Sequence, residues 1–153
     1  MIYRFARIGL RGASCATDPT QYIARYFKPV RAAPSRSPKN GEAIEPGRIY
    51  VAPPDHHLTL EPGFIRVTWG PRENRHRPAV DPPFQTAARA YGPRVVSVIL
   101  TETLDCGTAG LMLIKARGRV AVVQDPNEAL APDMPRSAIT HIKVDYILPP
   151  RKE

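Results

Sequence analysis

Cysteine is nearly absent from this chain: Cys15 and Cys106 are its two copies and lie far apart. So few thiols exclude a disulfide framework and a cysteine-rich zinc site. Long apolar runs are missing as well. None approaches the ~18 residues that a membrane-spanning helix needs, so no membrane insertion is expected. The first residues, Met1-Ile2-Tyr3-Arg4-Phe5-Ala6-Arg7, carry arginines where a secretory leader would carry its apolar stretch. A reducing, cytoplasmic location is expected on these grounds. Histidine occurs four times and never before His56, which limits where imidazole chemistry can sit.

What is present suits one folded unit. A chain of 153 residues can bury roughly 68–70% of the surface its unfolded form exposes. The net charge of +8 resembles a nucleic-acid footprint until it is located. Residues 1–40 hold eight Lys/Arg against one acid, Asp18, whereas residues 41–153 hold fourteen against thirteen. The body is therefore almost neutral, and no nucleic-acid partner is expected. The organisation expected is a basic N-terminal segment, 1–40, ending in the Pro/Ser/Arg-rich linker Val30–Asn40, and a domain over 41–153.

Within that domain the texture alternates. Arg48–Ala52 is a β-branched and aromatic run closed by Pro53-Pro54. Leu58–Leu60 and Phe64–Trp69 flank Glu61-Pro62-Gly63 and predict a hairpin. Gly70–Pro83 reads as a proline-rich loop, and Pro83–Tyr91 as a short helix stopped at Gly92. Val95–Leu100 is a continuous apolar run, the mark of a strand buried on both faces. A small-residue loop, Thr101–Gly110, leads to helix Leu111–Ala116, strand Arg119–Val123, helix Met134–His141 and strand Val144–Leu148. This order predicts right-handed crossovers and a mostly parallel, doubly wound sheet. The class expected is α/β, with an inserted β-hairpin. Chemistry in such sheets gathers at the carboxyl ends of the strands, so the loops starting at Pro53, Thr101 and Gln124 should share one rim.

Six segments then carry a resemblance. Gly41–Leu58 (GEAIEPGRIYVAPPDHHL), Gly70–Asp81 (GPRENRHRPAVD), Ala87–Thr101 (AARAYGPRVVSVILT), Cys106–Leu111 (CGTAGL), Gln124–Pro126 (QDP) and Met134–Ile139 (MPRSAI) follow one another in an order that resembles the CheB-type catalytic domain of chemotaxis protein-glutamate methylesterases. The resemblance implies a three-layer α/β/α sandwich. It further implies hydrolysis of glutamate methyl esters on the cytoplasmic region of methyl-accepting chemoreceptors, with glutamine deamidation on the same partners. No cofactor is implied.

The same family implies a serine in a glycine-rich turn, a histidine that takes its proton and an aspartate that orients the histidine. Gly12-Ala13-Ser14 matches three residues of the serine turn, but Cys15-Ala16-Thr17 replaces the rest. The family's aspartate turn, Leu-Thr-Gly-Met-Gly-x-Asp-Gly, corresponds to Leu100–Gly107, where Cys106 falls in the aspartate's place and Asp105 one residue early. Ser14 and Asp105 are thus the catalytic candidates, and the set lacks a histidine. A second alignment makes Tyr3–Ile8 the histidine-bearing strand, puts Arg7 near the histidine's place and omits the nucleophile segment. Either way the catalytic set is incomplete, and the competing reading is an inactive, diverged receptor-binding or relic domain.

His56, His57, His76 and Cys106 are the residues expected around the substrate. One of the three histidines could replace the missing base, while the plainer role is to shape the rim or bond the backbone. They lack the helical spacing and thiolate partners of a zinc site, so no metal is expected. Cys106, before a helix start, is either a reactive thiol or a small buried residue. Gly107 and Gly110 hint at a phosphate cradle, though a lone G-x-x-G has little specificity.

Overall fold

The computed structural model describes residues 2–4, 35–101 and 107–149. Ser14, Asp105 and Cys106 lie outside the described residues. The elements are strands β1 (Ile2–Arg4), β2 (Ser35–Arg36), β3 (Glu42–Ala43), β4 (Ile49–Val51), β5 (His57–Glu61) and β6 (Phe64–Thr68), then helix α1 (Asp81–Ala90). A 3-10 turn (Gly92–Arg94) leads to β7 (Val96–Ile99), α2 (Thr108–Ala116), β8 (Val120–Gln124), α3 (Asp133–His141) and β9 (Tyr146–Leu148).

Strands β7, β8 and β9 form a parallel sheet in that order, with Val98 opposite Val122 and Val123 opposite Ile147. β8 lies between the other two, which is why Ala121, Val122, Val123 and Gln124 are all buried. Helices α2 and α3 lay Leu111, Met134 and Ala138 on the face that carries Ile99, Ala121 and Val123. Burying a side chain the size of Leu111 stabilises by roughly 1.5–3 kcal/mol, so this layer is a main source of cohesion. The expected α/β sandwich is therefore what the chain adopts.

The hairpin expected around Glu61-Pro62-Gly63 is present. β5 and β6 pair antiparallel from His57–Thr68 to Glu61–Phe64, with Gly63 at φ +94 supplying the turn. Its inner residues Leu58, Leu60 and Ile65 pack with Tyr50, Ala52 and Ala87 in a second core. Helix α1 joins the two cores, since Ala87 faces the hairpin while Ala79 and Val80, just before the helix, belong to the sheet layer.

Two expectations shift. α1 begins at Asp81 rather than Pro83, because Pro82 and Pro83 occupy the first turn, where no intrahelical donor is needed. The stretch expected to be linker, Val30–Asn40, contains the short strand β2, which pairs parallel with β4. Arg36 is held there by a two-pronged bond to the Glu42 carboxylate at 3.0 and 2.6 Å. On the other side of β4, β1 runs antiparallel, with Tyr3 opposite Tyr50.

Candidate active site

The rim is built from bonds that tie loops to helix ends. At the carboxyl ends of β7 and β8, the Thr101 amide donates to Gln124 Oε1 at 2.9 Å. Thr101 Oγ1 accepts from the Ala131 amide at 2.7 Å and donates to the Ala131 carbonyl at 3.2 Å. Thr101 and the loop after Gln124 therefore meet at one edge. Leu130, next to this anchor, is 96% exposed.

The start of α2 holds a carboxylate that the sequence pattern does not single out. Asp81 is 2% exposed. Its Oδ2 accepts from the Gly107 amide at 3.1 Å and from Asn74 Nδ2 at 3.2 Å, and its Oδ1 accepts from the Gly110 amide at 2.6 Å. Buried charges persist only when fully hydrogen-bonded, and here the donors are the free amides at the start of α2. The glycines are obligatory. Gly107 stands at φ +92, and a Cβ there would come within 2.8 Å of Val80 Cγ1. A Cβ on Gly110 would lie 2.7 Å from Phe84 Cβ and 3.1 Å from Asp81 Oδ1. The G-x-x-G that hints at a phosphate cradle thus embraces the protein's own carboxylate, which takes the amides of both glycines. Asp81 and Asn74 escape a reading of the sequence because an acid beside Pro-Pro looks like a surface cap. The available signal was its setting, Pro78-Ala79-Val80 before and Pro82-Pro83-Phe84 after, an apolar context for an acid.

His57 is a clamp. The residue is 4% exposed. Nδ1 accepts from the Ala79 amide at 3.2 Å, which places the proton on Nε2, and Nε2 donates to the Pro71 carbonyl at 2.9 Å. One imidazole thereby holds both ends of the loop 71–79. His56 is half-buried and bonds the Pro54 carbonyl through Nδ1 at 2.9 Å. His76 closes a tight turn, since its backbone exchanges two hydrogen bonds with Glu73. Its Nε2 is buried and has no hydrogen-bond partner among the described residues. The structure brings His76 and Asn74 into one turn that reaches Asp81, and hence the start of α2.

A third cluster lies on the outer side of the same loop. Arg77 donates from Nε and one terminal nitrogen to Asp55 Oδ1 at 2.9 and 2.8 Å, and from the other to the Gly70 carbonyl. Its guanidinium also lies 4.4 Å from the centroid of the Trp69 ring, whose Nε1 donates to Asp55 Oδ2 at 3.3 Å. The Arg77 hydrogen bonds hold the Asp55 carboxyl below its ordinary value of 3.8; burial opposes them, and the Trp69 bond and nearby arginines add to them.

Among the described residues no helix is long and apolar enough to cross a membrane, and no three His, Cys, Asp or Glu side chains come together as a metal set.

The fold has known counterparts. The family CheB methylesterase matches residues 15–152, so the chain belongs to it. A protein-glutamate methylesterase/protein-glutamine glutaminase of Pyrococcus abyssi is 34% identical over 137 residues, 87% of this chain and 37% of that protein. One from Xanthomonas euvesicatoria is 40% identical over 114 residues, 72% of this chain and 32% of that protein. The crystal structure of the Thermotoga maritima CheB methylesterase catalytic domain superposes with a TM-score of 0.72 at 33% identity, covering 74% of this chain and 62% of that one. The chain thus spans about a third of the length of these two curated relatives and just under two thirds of the Thermotoga maritima domain.

Proposed function

We propose that this chain is a protein-glutamate methylesterase-type hydrolase acting on glutamate methyl esters in the cytoplasmic region of chemoreceptors, and that it works in the cytoplasm. The observation that carries this reading is the family match over residues 15–152 on an α/β sandwich whose rim is built. Ser14 is the proposed nucleophile and Asp105 the proposed orienting carboxylate. The serine hydroxyl would add to the ester carbonyl and methanol would leave with the serine's proton. Water would then cleave the acyl-serine to glutamate. With glutamine in place of the ester, ammonia leaves instead.

His57 is poorly suited to be the base, because both ring nitrogens hold backbone. Among the described residues His76 Nε2 is buried without a hydrogen-bond partner, and His56 bonds through Nδ1 alone, so these two rings are better placed to serve. A second reading, a catalytically inactive domain that binds receptor tails, is favoured by one fact of sequence: no histidine precedes His56. Methanol release from methyl-labelled receptor fragments decides between them. The hydrolase reading expects release that Ser14→Ala abolishes and Asp105→Asn reduces at least tenfold. Background release from the unaltered chain refutes it. Release untouched by Ser14→Ala moves the nucleophile elsewhere.

A further inference from the structure

The internal anion at the start of α2 has the geometry of a lock. Asp81 reaches two amides, Gly107 and Gly110, that lie 26 and 29 residues away in sequence, and the loop residue Asn74. Both of its oxygens are used, and the two glycines leave no space for a side chain between α1 and α2. The opposite anchor of the connection 102–106 is Thr101, fixed to Gln124 and Ala131. Asp81 therefore sets where the chain stands as it enters α2, two residues after Asp105 in sequence.

We propose that Asp81 is a positioning residue: its carboxylate holds the rim end of α2 and the 73–76 turn in one arrangement, and through them sets the geometry at which the ester is attacked. The catalytic half of this inference rests on the hydrolase reading above. Chemistry favours a carboxylate over any other group here. An amide in its place keeps one acceptor oxygen but turns an NH2 toward a backbone N–H, so one of the two amides loses its partner. Charge-assisted bonds to backbone amides are also about twice as strong as neutral ones.

The test compares Asp81→Asn with Asp145→Asn in the full chain. Asp145 accepts from the Ala121 amide at 2.7 Å and pairs with Lys115 at 2.7 Å. It is thus a second carboxylate-to-backbone contact, made at the start of β8 and not at the rim. Amide hydrogen exchange is followed in 107–111 and in Val120–Gln124, well below the melting temperature of each variant. Asp81→Asn is expected to speed exchange at least tenfold in 107–111 and less than twofold in β8, with Asp145→Asn not reproducing the pattern. Equal acceleration in both segments, or none in either, overturns the lock. In methanol release, Asp81→Asn is expected to lower kcat at least tenfold with KM within twofold of the unaltered chain. A change confined to KM overturns the positioning role. Should the unaltered chain release no methanol, the hydrolase reading and the catalytic half fall together, and the exchange pattern alone decides the lock.

Discussion

Replacing Gly110 by alanine adds one methyl group where α1 and α2 touch, and its cost follows from distances. The new Cβ would stand 2.7 Å from Phe84 Cβ and 3.2 Å from Asp81 Cα, whereas carbon atoms rest about 3.5–4.0 Å apart. One helix must recede by about 1 Å. Overpacking of this kind costs about 1–3 kcal/mol. The same retreat would stretch the 2.6 Å bond from the Gly110 amide to Asp81 and weaken a charge-assisted contact worth about 1.5–3 kcal/mol. Against these stands the better helix propensity of alanine, at most about 1 kcal/mol. The losses win, leaving a net destabilisation of about 3 kcal/mol. Urea unfolding followed by far-ultraviolet circular dichroism should show a lower midpoint with an unchanged slope. Gly118→Ala is the control: Gly118 has φ +69 but nothing within 4 Å of a Cβ, so only the backbone cost of about 1–2 kcal/mol applies. If Gly110→Ala unfolds within about 0.5 kcal/mol of the parent, the close approach of α1 and α2 is wrong.

Other expectations are independent of that contact. His57→Phe keeps the ring's bulk but loses two bonds to the loop 71–79; at about 1 kcal/mol each, thermal melting should register a loss near 2 kcal/mol, and limited proteolysis should find new cleavage between residues 71 and 79. Melting unchanged would refute the clamp. Tyr50→Phe removes a hydroxyl that donates to the Ala43 carbonyl at 3.2 Å and accepts from the Glu45 amide at 3.0 Å; a loss of about 1–2 kcal/mol is expected, and a neutral result would mean water replaces the hydroxyl. For Asp55, the folded carboxyl ionises below its unfolded value of 3.8. Its contribution to stability is full above that value and is lost as pH falls through the lower, folded one. Urea midpoints between pH 5 and pH 2 should therefore fall less steeply in Asp55→Asn, and identical slopes would refute the coupling to Arg77.

The regular elements were legible because their signals are local. The turn Glu61-Pro62-Gly63 announces the hairpin, and the apolar runs ending at Ile99 and Val123 announce a buried sheet. Even there the reading overshot: Val95–Leu100 looks buried on both faces, yet Val96 is 42% and Leu100 50% exposed. Periodicity reports apolarity and cannot tell a central strand such as β8 from one that ends the strand order among the described residues, as β7 does. The rim was legible only in part because its contacts span long stretches of chain. His57 was expected near substrate, but its role depends on two backbone groups 14 and 22 residues away. Asp81 was missed for the same reason. A carboxylate's partners are chosen by folding, and nothing adjacent to it in sequence names Gly107 and Gly110.

That distance has a temporal side. A ribosome adding ~10 residues per second makes Asp81 roughly three seconds before the last amide that will neutralise it, 29 residues on. Until Gly110 emerges, α1 cannot sink its first turn into an apolar layer without stranding an unpartnered polar group there. Any fragment ending before Gly107 should therefore keep Asp81 in water and leave the two halves of the nascent protein undocked. The last piece placed would be the one that lets the earlier piece close.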